Sequence, residues 1–135
     1  GEVLAIGGEK MTRQTITTDK IAPAVGPFSA AVRAGGFVFL SGQIALDPVS
    51  GKLIAGDAAM QTEQIFRNIS AVLDAAGRSF ADVVKTNIFL ADMKDYAAMN
   101  TVYARHFEAL FPARTAIAAA ALPLGAAVEI EVLVA

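Results

Sequence analysis

The sequence predicts an α+β domain, a β-sheet carrying two helices on one face. Three observations point there: two segments place apolar residues at helical spacing, six short segments are rich in β-branched, aromatic or small apolar residues, and glycine and proline mark the joins between them. A chain of 135 residues has the length of one domain.

Residues 1–11 read as an N-terminal extension, or as a remnant ahead of a start at Met11, and residues 12–135 as the domain. The apolar patch Val3–Ile6 sits between Glu2 and Glu9 and lacks the basic region and long apolar run of a signal peptide. Thr12–Thr18 reads as a threonine-rich edge strand. Pro23, Gly26 and Pro27 mark an irregular connection, after which Phe28–Arg33 and Phe37–Gln43 form a hairpin across Ala34-Gly35-Gly36. Asp57 or a neighbour opens the first helix. Ile65, Phe66, Ile69, Val72, Leu73 and Ala76 share its inner face, Gln61, Gln64, Arg67, Asn68 and Asp74 its outer side, and Gly77 ends it.

Val83–Leu90 is a strand. Asp92 is placed to cap a second helix with an apolar stripe of Met99, Val102, Tyr103, His106, Phe107 and Leu110, stopped by Pro112. Thr115–Leu122 is apolar throughout and so expected to be buried on both faces; its alanines favour helix, but Pro112 and Pro123 leave too little length for one. Val128–Val134 alternates at first and then becomes wholly apolar. The order β-β-β-α-β-α-β-β leaves one sheet face open and apolar. With 55% apolar residues in so short a chain, a second copy of itself is the simplest cover.

The composition narrows the function. A net charge of −2 without a Lys/Arg stripe argues against nucleic acid. No run of about 18 apolar residues occurs, so no membrane span is expected. The lack of cysteine excludes disulfides, thiolate catalysis and Cys-ligated metals, and it fits a reducing cytoplasm. Neither a dinucleotide fingerprint nor a P-loop is present. His106, the single histidine, lies on an apolar helix flank and reads as a packed residue rather than a catalytic or metal-binding one.

Three places can carry chemistry. Arg114 follows Phe111-Pro112-Ala113 into an apolar strand, where a guanidinium needs an anionic partner: an internal carboxylate in a salt bridge, or the carboxylate of a ligand held in a bidentate clamp. Glu129 and Glu131 share one face of the last strand, either as a solvated surface or with one of them handling water or a proton. Ser41-Gly42-Gln43 is an ordinary strand end or a place where backbone approaches a ligand closely. If the last two strands formed a hairpin centred between Leu124 and Gly125, Arg114 and Glu129 would stand roughly 20 Å apart, able to share a site only across a subunit boundary.

Taken together, Gly26-Pro27-Phe28-Ser29, Leu40-Ser41-Gly42-Gln43-Ile44, Val84–Met93, Phe111-Pro112-Ala113-Arg114-Thr115, Leu122-Pro123 and Val128-Glu129-Ile130-Glu131 resemble the RidA/YjgF family in order and spacing, from about Thr12 to Ala135. The resemblance implies a chorismate-mutase-like α+β fold with a mixed sheet, a homotrimer with three clefts between subunits, and no cofactor or metal. It implies deamination of reactive enamines and imines, 2-imino acids, to 2-oxo acids and ammonia. Arg114 matches the arginine that binds the substrate carboxylate and Glu129 the glutamate beside the attacking water. Phe28, Ser41, Gly42, Asn100 and Ala116 match positions that line the cleft. Two of these depart from the common pattern: Phe28 stands where the family usually has tyrosine, and Ala116 where it often has cysteine. Those changes put the rate in question and leave the substrate as either 2-aminoacrylate or a bulkier, more apolar imine. They also favour a rival, a trimer that binds small carboxylates without turning them over. A second rival, the ribonuclease activity attributed to parts of the family, is disfavoured by the charge.

Overall fold

The computed structural model describes residues 2–6, 9–108 and 110–135, with side chains from Thr12 onward. Most of the expected extension over 1–11 is described: Glu2–Ile6 (β1) and Glu9–Thr12 (β2) pair antiparallel as a sheet of their own.

The main sheet has six strands: Gln14–Ile16 (β3), Ala31–Ala34 (β4), Phe37–Leu40 (β5), Val83–Leu90 (β6), Ala113–Ala118 (β7) and Val128–Val134 (β8). Their order is β3-β4-β5-β8-β6-β7, with only β6 and β7 parallel. The helices are Ala58–Ala76 (α1) and Tyr96–Ala104 (α2). This is the mixed sheet with two helices that the sequence predicts.

The alternation of β8 decides which face is which. Val128, Ile130, Val132 and Val134 are buried and, with Ile88 and Leu90 of β6, form one core with Ile65, Phe66, Ile69, Val72 and Leu73 of α1. Each such side chain contributes about 1.5–3 kcal/mol when fully buried, so this layer dominates the stability of the fold. Glu129, Glu131 and Leu133 consequently project to the opposite, open face, where Phe37, Phe39 and Ile117 are also exposed.

α1 begins and ends where the sequence places its caps. The Asp57 carboxylate accepts from the Met60 amide at 2.9 Å, and Gly77 takes the left-handed conformation at φ 70°. Two residues expected on its outer side, Gln61 and Asn68, are buried instead. Gln61 donates to Gly56 O and accepts from Ala127 N at 2.9 Å; Asn68 donates to Leu46 O at 3.0 Å. Burial is offset because each amide meets backbone groups of loops that have no ladder partner there.

Four further expectations are corrected. The hairpin strand expected from Phe28 begins only at Ala31. The second helix does not run to Pro112: Asp92 caps a single 3₁₀ turn, Met93–Asp95, α2 ends at Ala104, and Leu110 is 95% exposed. His106 and Phe107 still pack, with the His106 ring stacked 4.4 Å from Phe66 and its Nε2 3.1 Å from Glu63. β7 is not buried on both faces; it is an edge strand of half-buried and exposed residues. Nor do β7 and β8 form a hairpin, because β6 lies between them and pairs with both.

Candidate active site

The register of β6 places the two charged candidates. Thr86 stands opposite both Arg114 and Val132, and Phe89 opposite both Ile117 and Glu129. Residues level with one another on adjacent strands point to the same face. Arg114 therefore projects with Thr86 toward the helices, and Glu129 projects to the open side. Three positions along β6 and two strand spacings put their Cα atoms about 14 Å apart, with the sheet between the side chains. The hairpin arithmetic reached a similar conclusion from a wrong pairing: within one chain these groups do not meet.

The arginine side of the site is built by α2. Arg114 Nη1 donates to Asn100 Oδ1 at 2.8 Å and Nη2 donates to the Tyr96 hydroxyl at 2.9 Å. Its guanidinium carbon lies 4.8 Å from the centre of the Tyr103 ring, whose hydroxyl is hydrogen-bonded to Thr86 at 2.9 Å. Among the described residues no carboxylate comes within ion-pairing distance of Arg114. Both acceptors are neutral, so among the described residues neither of these hydrogen bonds balances the guanidinium charge. A cavity of about 310 Å³ opens at this point, lined by Asn100, Tyr103, Phe111, Pro112 and Arg114. Ala116, opposite Ile88, lies on the same face two residues on. The hydrogen bond to Asn100 and the positive charge of Arg114 hold the Tyr96 hydroxyl below the usual phenol range, whereas burial pushes that of Tyr103 up. As site residues Tyr96 and Tyr103 escaped sequence reasoning, which placed Tyr103 only in the apolar stripe, although their spacing with Asn100 (positions 96, 100 and 103) puts all three on one helical face.

The glutamate side of the site lies on the open face. Glu129 shares a cavity of about 480 Å³ with Phe28, Ser41, Gly42 and Leu124, among others. Burial raises its carboxyl above the ordinary value, and the neighbouring charge of Glu131 adds to the shift. Glu131 is engaged elsewhere, accepting from the Asn87 amide at 2.8 Å. Gly42 is required by proximity: a Cβ there would come 3.0 Å from Glu129 Cδ and nearer still to its carboxylate oxygen. The Ser41 hydroxyl donates to Ser29 O at 2.6 Å and so fixes the loop leading to Phe28. The expected site residues thus fall into two groups, Arg114, Asn100 and Ala116 on one face and Phe28, Ser41, Gly42 and Glu129 on the other.

No helix among the described residues is long and apolar enough to cross a membrane. Comparison with known proteins gives the family. A family profile described as Endoribonuclease L-PSP matches residues 18–135. The human protein named 2-iminobutanoate/2-iminopropanoate deaminase is 43% identical, over 90% of this chain and 88% of its own. The Arabidopsis thaliana protein named Reactive Intermediate Deaminase A, chloroplastic, is 41% identical over 95% of this chain and 68% of its own. Among solved structures, RidA from an Antarctic Psychrobacter superposes with a TM-score of 0.86 at 46% identity, covering 90% of this chain and 98% of that one. Escherichia coli TdcF with bound serine superposes at 0.84 and 34% identity, covering 90% and 97%. With the fold, the ordered motifs and these relatives in agreement, the chain belongs to the RidA/YjgF family, also described as Endoribonuclease L-PSP.

Proposed function

We propose that the protein hydrolyses 2-imino acids, and the enamines that tautomerise to them, to 2-oxo acids and ammonia in clefts between the copies of a homotrimer. The observation that carries this reading is the guanidinium of Arg114, held by two neutral acceptors and an aromatic face. A half-buried cation so arranged suits a carboxylate ligand, and relatives named as imine deaminases act on molecules that have one. The TdcF structure with serine adds a small amino acid as a ligand of that relative.

Trimer formation is supported by the open face, where Phe37, Phe39 and Ile117 are exposed, and by the split between the two halves of the site. In the assembly Arg114 of one copy binds the carboxylate, with Asn100 positioning its fork and Ala116 beside the reacting carbon. Glu129 of a neighbour accepts a hydrogen bond from the attacking water. The water oxygen bonds to C2 of the imine, the carbon–nitrogen double bond opens, and proton transfers to nitrogen precede its departure. The carbonyl forms as the C–N bond breaks, so one imine and one water give one 2-oxo acid and one ammonia. A protonated imine is already electrophilic, and orientation supplies most of what the reaction needs. This chemistry draws on none of the redox or thiol groups the sequence lacks, and we place it in the cytoplasm, which a cysteine-free chain suits.

The test measures ammonia released from imines generated by an amino-acid oxidase. The Arg114→Ala variant is expected to keep its assembly and lose most of the activity; equal rates for variant and wild type would refute the clamp. Carboxylate binding by the wild type without ammonia release would select the non-catalytic binding protein instead.

A further inference from the structure

We propose that Thr86 is a positioning residue for the carboxylate clamp: its hydroxyl tethers the Tyr103 ring, and the tethered ring sets the tilt of the Arg114 guanidinium. The inference rests on the clamp reading and adds two residues to it. Thr86 and Arg114 stand level on adjacent strands and point to the same face. Tyr103 reaches both from α2. Its hydroxyl shares a hydrogen bond with the Thr86 hydroxyl at 2.9 Å, and its ring centre lies 4.8 Å from the guanidinium carbon. Thr86 is 0% and Tyr103 4% exposed within a single chain, so the pair is complete before any second copy docks.

The constraint this ring adds is one that the other two partners lack. Asn100 and Tyr96 hold the two tips of the fork, Nη1 and Nη2. A planar group held at two tips still rocks about the line that joins them. A ring against its face stops that motion, provided the ring itself cannot tilt. Phe66 meets the Tyr103 ring edge-on, with centroids 5.7 Å apart, and Phe107 lies against it at 4.8 Å. Such apolar contacts are non-directional, whereas the hydroxyl bond is directional. The choice of threonine points the same way. Its neighbours on this face include the buried Ile88 and Val132. Valine has nearly the same shape with no hydroxyl to strip of water, so packing alone favours valine at this position. A hydroxyl that does nothing for the core is explained by the ring it holds.

The experiment measures kinetics and melting on the full chain. The substrate is 2-iminobutanoate generated by an amino-acid oxidase, and 2-oxobutanoate is the ligand for calorimetric binding. Removing both hydroxyls, in Thr86→Val combined with Tyr103→Phe, leaves neither of the pair buried without a partner. The melting temperature is therefore expected to stay at or above that of the wild type. KM and the dissociation constant of 2-oxobutanoate are nonetheless expected to rise about five-fold or more, with kcat nearly unchanged, because the clamp holds the carboxylate equally before and during the reaction. Thr86→Ser is expected to show the reverse: the lost methyl group lowers the melting temperature, and the retained hydroxyl restores the wild-type KM. An unchanged KM in the folded double variant overturns the inference and leaves the deaminase standing, as does a KM that rises as far in Thr86→Ser as in the double variant. A wild type that binds 2-oxobutanoate but hydrolyses no imine sinks the deaminase reading alone, and the dissociation constants then decide this inference. A wild type that does neither ends both.

Discussion

Arg114 and Glu129 project from opposite faces of one sheet, with β6 running between their strands. No rotamer of either brings them together within a chain. On the proposed mechanism each chain therefore carries two half-sites, and the reaction needs halves from different copies.

Complementation follows from that geometry. Arg114→Ala and Glu129→Gln are each expected to be inactive alone. Co-refolded in equal amounts they exchange into mixed assemblies, and about a quarter of the clefts regain an intact arginine facing an intact glutamate. Ammonia release at about a quarter of the wild-type rate is the expected result. Two inactive parents that stay inactive when mixed, with exchange confirmed by native mass spectrometry, would falsify the shared cleft.

Gly42 gives a second prediction. Its missing Cβ is the space the Glu129 carboxylate occupies, and the colliding atoms belong to the end of a flexible side chain. Gly42→Ala is accordingly expected to fold normally while swinging Glu129 aside. A displacement of about 1 Å at a catalytic group lowers the rate by roughly 100-fold. Thermal melting and kcat measured on the same preparation check both halves of the statement.

Acid pH should silence the enzyme earlier than an ordinary carboxylate would. Burial, and then the Glu131 charge, hold the Glu129 carboxyl above its usual value of 4.5. The proton-accepting form is lost as pH falls through that raised value, so the acid limb of kcat/KM sits above 4.5. Glu131→Gln removes the smaller of the two causes and is expected to move the limb toward lower pH without restoring the ordinary value. The stability linkage has the opposite sense. The native state binds this proton more tightly than the unfolded chain, so the contribution is fully present below the unfolded value and is lost as pH rises through the folded one. A limb that stays put or moves upward in Glu131→Gln argues against the electrostatic account.

In the proposed clamp Tyr96 acts through its hydrogen bond to Arg114. Removing its hydroxyl in Tyr96→Phe frees one arm of the guanidinium fork while the ring and the Asn100 contact remain. KM is expected to rise about three- to ten-fold, with kcat nearly unchanged, because a hydrogen bond to a charged group orients binding rather than the chemical step. A fall in kcat at constant KM would assign Tyr96 a different role.

The first helix was legible in the sequence because the 3.6-residue period is written in side chains: the Asp57 cap, the stripe from Ile65 to Ala76 and the Gly77 stop all stand where the pattern puts them, whereas of the second only the middle, Met99, Val102 and Tyr103, was read with its right extent. The buried amides of Gln61 and Asn68 were not legible, since periodicity ranks residues by polarity and is blind to a loop carbonyl or amide waiting for a partner. Strand pairing was the larger gap. β7 and β8 follow one another in the chain, and adjacency made a hairpin the economical guess, yet no side-chain pattern says that β6 separates them. The apolar run after Arg114 misled for a related reason. Alanines at an exposed edge carry the same letters as alanines in a core. Arg114, Glu129, Ser41 and Gly42 could be picked out by residue type and position, but their division between two faces required the register.

The position of β8 bears on how the molecule is made. Strands β3 to β5 and strands β6 and β7 are joined into one sheet only through β8, which pairs with β5 on one side and β6 on the other. Until residues 128–134 have left the ribosome, the two halves have no common hydrogen-bonding edge and the inner surface of α1 has no floor. Such long-range closure is slow and leaves apolar strands unpaired and open to aggregation until β8 slots into the centre.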